Sequence, residues 1–148
     1  MNKEEAQKYI NSNIPMSRLM GMNFIELTHQ SVRVAMPYAP NINHQGSVFG
    51  GSIDSLFFIT CWAYVQLLVE HIDPHPRILG RRGSSVFHAP IKSDFEAKVI
   101  IPDDGMVHTL LNHLRQKGKG KFKAQANVEY KGKIAAEFNG EFVVLMDN

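Results

Sequence analysis

The sequence predicts an α+β fold, an antiparallel sheet wrapped around one long, buried central helix. Three observations predict it. Ser55 to Val69 carries no charge, and the whole stretch Asn41–His71 contains no Lys or Arg. The segments around it alternate apolar and polar residues with the period of two that half-buried strands require. The last two of these segments are joined by Lys131-Gly132-Lys133, a hairpin turn, and no regular strand–helix–strand alternation, repeat or linker interrupts the chain.

The elements follow in order. Lys3 to Asn11 has the spacing of a short amphipathic helix, and Pro15 to Met20 that of a further turn. Met22 to Thr28 is extended. Val32, Val34 and Met36 alternate with Arg33 and Ala35 in a half-buried strand. Pro37 to Gly46 is loop. The central helix runs from Gly50 to Glu70, and Pro74 and Pro76 force the break after it. Arg77 to His88 is extended and ends at Ala89-Pro90. Phe95, Ala97, Val99 and Ile101 alternate with Glu96, Lys98 and Ile100. Pro102-Asp103-Asp104 starts a helix, and Val107, Leu110, Leu111 and Leu114 carry its spacing to Gln116. Phe122, Ala124, Ala126, Val128 and Tyr130 face one way, and the intervening Lys, Gln, Asn and Glu residues the other. The final strand, Ile134 to Met146, puts Ile134, Ala136, Phe138, Phe142 and Val144 on one face.

Composition narrows the function. The 148 residues suffice for one domain, residues 1–148, with 44% hydrophobic and 20% charged residues. A net charge of +2 gives no global argument for nucleic acid. The charge-free run of about 15 residues is shorter than the roughly 20 of a bilayer span, so no membrane partner is expected. The single cysteine, Cys61, excludes an internal disulfide framework, and the charged N-terminus has no apolar signal region. The expectation is cytoplasmic.

Three segments carry a family resemblance along nearly the whole chain. Asn43-x-x-Gly46-x-x-Phe49-Gly50-Gly51 resembles the Asn-x-x-Gly-x-x-His-Gly-Gly loop that opens the central helix of hotdog-fold acyl-thioester enzymes. Phe87-His88-Ala89-Pro90 through Asp94-Phe95-Glu96-Ala97 resembles an edge of their sheet, and Gly118–Lys121 through Gly140–Val144 their closing hairpin. Ala39-Pro40-Asn41-x-Asn43 with Phe49-Gly50-Gly51-Ser52 is similar to a branch labelled "putative thioesterase". Some members of that branch are fused to an acetyltransferase, and others are malonyl-ACP decarboxylases. The resemblance implies a hotdog fold, an acyl-CoA or acyl-ACP substrate, acyl carrier protein as a partner, and a homodimer or dimer of dimers.

The chemistry follows from residue types. Thioester reactions need donors for the thioester oxygen, which the free N–H groups and positive dipole end of a helix N-terminus supply. Gly50 and Gly51 allow close approach there. Asn43 offers two donors and an acceptor to a water, carbonyl or carboxylate, or else holds loop backbone; Asn41 stands in the same position. His44 is either a proton-transfer aid or a surface histidine. Where thioesterase relatives carry a histidine and, nine residues later, an acid, this chain has Phe49 and Phe58. Asp54 is the acid in the helix's first two turns, either facing the cleft or compensating the dipole. This apolar site suits decarboxylation of a malonyl thioester, which needs an oxyanion site but neither nucleophile nor metal. Hydrolysis is the alternative, and a non-catalytic acyl-thioester binding module the third.

The candidate site is therefore catalytic Asn43, Gly50, Gly51 and Asp54, with Asn41, His44, Phe49, Ser52, Phe58, Arg81 and Arg82 binding substrate. The arginines, with the basic run Arg115–Lys123, are either solvated surface or docking groups for an acidic carrier protein or coenzyme phosphates. No cofactor and no metal are expected. Gly46-x-x-x-x-Gly51-Ser52 lacks the lysine of a phosphate loop, Pro74 separates His71 from His75, and Cys61 has no basic neighbour in sequence.

Overall fold

The computed structural model describes residues 1–147. Its order is α1 (Lys3–Asn13), α2 (Met16–Met20), β1 (Asn23–Leu27), β2 (Val32–Met36), a 3-10 turn (Ala39–Asn41), α3 (Gly50–Val69), β3 (Arg77–Phe87), β4 (Phe95–Ile100), α4 (Asp104–Lys117), β5 (Lys119–Tyr130) and β6 (Lys133–Leu145). The six strands form one antiparallel sheet in the order β1-β2-β4-β5-β6-β3.

Local chemistry sets the ends of these elements. Asn2 and Glu5 form a reciprocal cap on α1. Asp103 accepts from the Met106 N–H at 3.2 Å to start α4, and Gly118 ends it with φ 69°. Lys131 and Gly132, with φ 52° and 75°, make the two-residue turn between β5 and β6.

The sheet curls around α3, the helix that by length and composition could cross a bilayer. Here its apolar surface is covered by strands instead. Leu56, Phe57, Cys61, Tyr64 and Val65 are buried; Phe57 stacks on Phe138 at 5.2 Å and Tyr64 meets Phe122 edge-on at 6.1 Å. The hydroxyls of Ser55 and Thr60 donate to Gly51 O and Leu56 O, which satisfies them within the helix.

Of three register shifts in the sheet among the described residues, the one in β1 between Phe24 and Glu26 is local, and the other two correct the simple alternation. Val128 pairs with Ala136 but Glu129 pairs with Ile134, so Ala135 is an extra residue in β6. Ala135 and Ala136 are both buried, and Ile134, expected on the core face, shares the outer face with Glu129 and is 42% exposed. In β3, Gly80 pairs with Phe142 and Arg82 with Glu141, leaving Arg81 as the extra residue. That bulge carries Arg82 to the outer face. Ile101, expected to continue β4, lies beyond its end and is exposed.

Candidate active site

The loop before α3 is built around Asn43. Its Oδ1 accepts from Gln45 N at 2.8 Å and Ser47 N at 3.1 Å, and its Nδ2 donates to Ser47 Oγ at 3.1 Å. Gly46 turns the chain with φ 74°, and the Tyr38 hydroxyl donates to its carbonyl. Asn43 therefore spends most of its bonding capacity on its own loop, the second of the two roles its residue type allows. Asn41 corrects its expected role as a substrate contact. It is 2% exposed, its Nδ2 donates to Met20 O and Pro37 O, and its carbonyl accepts from Phe49 N at 2.7 Å. It ties the helix head to the turn after α2. Its Oδ1 is the buried side-chain oxygen without a hydrogen-bond partner among the described residues.

The head of α3 is uncapped. Phe49 stands at the cap position with extended backbone and gives no side-chain bond. Ser52 N and Ile53 N both turn back to Phe49 O, whereas the N–H groups of Gly50 and Gly51 donate to nothing among the described residues. Two aromatic rings flank these amides. A methyl group at Gly51 would lie 2.4 Å from the Phe49 ring, and one at Gly50 3.5 Å from the Phe87 ring. Phe49 is 55% exposed, so its ring is a flap on the site and not part of the core. Beside Gly50 lies a cavity of about 290 Å³ lined by Ser47, Val48, Ile53, Phe87 and Pro90, among others.

From the head, α3 runs along β3 in a seam at the open edge of the sheet. Residues 50, 54 and 58 fall on one side of the helix. Gly50 meets Phe87; Asp54 Oδ1 accepts from the Ser85 hydroxyl; and Phe58 lies against Gly80 and Gly83. Asp54, half-buried, thus faces the same seam as the free amides, one turn further in. The sequence reading named Phe87 only as part of a sheet edge and Ser85 not at all, so neither was expected at the site. Their segment has no periodic signal, and only the register of β3 on β6 brings them opposite the helix.

The remaining expected residues divide. His44 is exposed and makes no side-chain bond among the described residues. Ser52, expected to touch substrate, is 4% exposed and turned into the core, because the helix rotation that opens Gly51 and Asp54 to the seam buries it. Arg81 and Arg82 do not join the helix head. They stand on the outer face of the sheet, where Arg81 pairs with Glu141 at 3.2 Å beside Lys121 and Lys123. Cys61 is buried, and burial raises its thiol far above the ordinary value, which keeps it protonated and inert. Among the described residues no group of acids, histidines and cysteines is placed to hold a metal.

A sheet curled around one long helix, with a glycine pair at the helix head, is the hotdog fold. The chain belongs to the family described as "Putative thioesterase (yiiD_Cterm)", whose model matches residues 3–146. Among solved structures it is similar to "the putative thioesterase from Shewanella oneidensis", at 28% identity and a TM-score of 0.81, over 97% of this chain and 96% of that one. A Chlorobaculum tepidum protein of unknown function shares the fold with a TM-score of 0.90 at 22% identity, over 98% of this chain and 94% of that one. A Pseudomonas aeruginosa protein described as "Probable Thioesterase" shares it with a TM-score of 0.82 at 19% identity, over 99% and 97%.

Proposed function

We propose that this chain decarboxylates a malonyl thioester, carried by acyl carrier protein or coenzyme A, to the acetyl thioester. The observation that carries the reading is the pair of unpartnered amides, Gly50 N–H and Gly51 N–H, at the open end of a 20-residue helix. The thioester oxygen binds there. As the bond to the carboxylate breaks, its electron pair moves into the thioester and leaves an enolate whose charge sits on that oxygen. The two donors and the helix dipole hold it, and the α-carbon then takes a proton from water. The Phe49 and Phe87 rings strip water from the departing carboxylate, which favours its uncharged product. Asn43 shapes the loop behind the amides and acts as a positioning residue.

Hydrolysis of an acyl thioester is the second reading. Asp54 favours it, since a carboxylate oriented by Ser85 one turn from the amides could activate water. One assay separates the readings. The protein is incubated with malonyl and simple acyl thioesters of both carriers, and the products are weighed by mass spectrometry. Acetyl thioester means decarboxylation, free thiol means hydrolysis, and unchanged substrate means a binding module.

The assembly and partners belong to the same proposal. β3 leaves one edge of the sheet unpaired, with Leu79, Val86 and Phe87 exposed beside it. A second copy pairing there would form a homodimer or dimer of dimers and roof the seam; sedimentation tests it. The outer-face cluster of Arg81, Arg82 and Lys123 suits an acidic carrier protein. A carrier-bound substrate would suit a reaction in the cytoplasm, the compartment we propose.

A further inference from the structure

We infer that Phe58 sets acyl length, and that its ring closes the seam so that only short acyl groups, of about two to four carbons, are substrates. The inference rests on the acyl-thioester reading above and names the substrate class of that site.

The α3–β3 seam is the route an acyl chain would follow inward from the Gly50 and Gly51 amides. It is lined in order by Phe87, the Asp54–Ser85 bond and the Phe58 ring. At 1.5 Å per residue, Asp54 lies about 6 Å from the helix head and Phe58 about 12 Å. A two-carbon or three-carbon group ends before the carboxylate. A longer chain must lay methylenes over Asp54 and then meet the ring.

The ring is wedged. Methyl groups at Gly80 and Gly83 would lie 2.9 Å and 2.5 Å from it, so it rests directly on the β3 backbone. It also meets Phe138 at 5.0 Å and Phe142 at 6.1 Å, both edge-on. Two glycines on the edge strand thus make room for an aromatic plug. Phe58 is also only half-buried, whereas Phe57, Phe138 and Phe142 are buried, so one side of its ring packs on the core and the rest is left to the seam. Nor is there an alternative route through the neighbouring cavity. Its about 290 Å³ is at the small end for ligand sites, and buried Val48, Ile53 and Ile91 line it. Both ways inward from the helix head therefore stop early.

The test uses wild type, Phe58→Ala and Phe58→Leu, with thermal melting to confirm that each is folded. Ethyl-, butyl-, hexyl- and octyl-CoA thioethers, which cannot react, are titrated by calorimetry. Acetyl-, malonyl- and octanoyl-CoA turnover is then followed by mass spectrometry. Wild type is expected to bind ethyl-CoA at least as well as octyl-CoA. Phe58→Ala is expected to gain tenfold or more for octyl-CoA while ethyl-CoA changes by less than about threefold; each buried methylene contributes about 0.8 kcal/mol. Phe58→Leu, which leaves a smaller void, is expected to shift the same way by less and serves if the alanine variant does not fold. Identical chain-length ladders in wild type and the variants would overturn the plug while leaving the acyl-thioester reading intact. So would wild type that prefers octyl-CoA. Failure of all three proteins to bind or turn over any of these compounds would overturn both.

Discussion

Phe57 and Phe58 are neighbours on one helix and live in different worlds. Phe57 is fully buried and stacked on Phe138. Phe58, about 100° around the helix, is half-buried and lies on glycine backbone at the sheet's open edge. The contrast extends along α3. Leu56, Phe57, Cys61, Tyr64 and Val65 form a tight apolar side against the curled sheet. Gly51, Asp54, Ser55, Phe58, Ile59 and Trp62 form a half-buried side, with Trp62 stacked under Tyr9 of α1 at 5.4 Å. One side supplies stability and the other carries the groups able to do chemistry.

Substitutions on the two sides should therefore fail differently. The largest effect is expected from Phe57→Ala, which removes a stacked core ring and should cost about 3–5 kcal/mol in urea unfolding. Phe58→Ala should cost less in the same experiment; the reverse order would erase the contrast. Gly50→Pro is next. Position 50 begins the helix, where proline fits, and Phe49 before it already has the extended backbone that proline demands. The fold should survive, while loss of one amide donor should lower turnover by about 100- to 1,000-fold. Gly50→Ala keeps the N–H and is the control. Equal activity of the two variants would remove that amide from the mechanism.

Asn43→Ala removes two bonds accepted by its side chain and one donated, and should destabilise the protein by about 1–3 kcal/mol, measured by thermal melting. It should also lower turnover through the loosened loop. Cys61 gives a smaller, pH-dependent effect on the packed side. Its thiol stays protonated in the fold but ionises in the unfolded chain above about pH 8.5. Stability should then fall as pH rises past that point, and Cys61→Ala should flatten the fall. Maleimide should label the thiol only in urea. The smallest effect is expected at Glu26, whose carboxyl is lowered by the Ser31 hydroxyl and by Arg33. Its contribution is present above the ordinary carboxylate value and is lost as pH falls through the lowered one. Salt should screen it, so Glu26→Gln should melt like wild type in high salt.

The packed side was legible in the sequence and the seam much less so. An uncharged run between strand-like segments announces a buried helix, and the alternation from Phe122 to Tyr130 announces its neighbouring strand, because both patterns are local. The seam depends on register between segments far apart in the chain. Ser85 reaches Asp54 only because β3 pairs with β6, and Arg82 turns outward only because Arg81 bulges. A similar bulge at Ala135 reversed the expected direction of Ile134. Asn41 was read for its polarity, yet its amide is consumed by two carbonyls that no local pattern ties to it.

The bare start of α3 has a consequence for anyone improving this protein. Asp or Ser at position 49 would accept from the idle Gly51 amide, the second in the helix, and raise helix stability by about 0.5–2 kcal/mol. A heat-challenge screen should enrich such variants, and a screen for product should discard them. Robustness and output would then be rival demands on the same amide hydrogen.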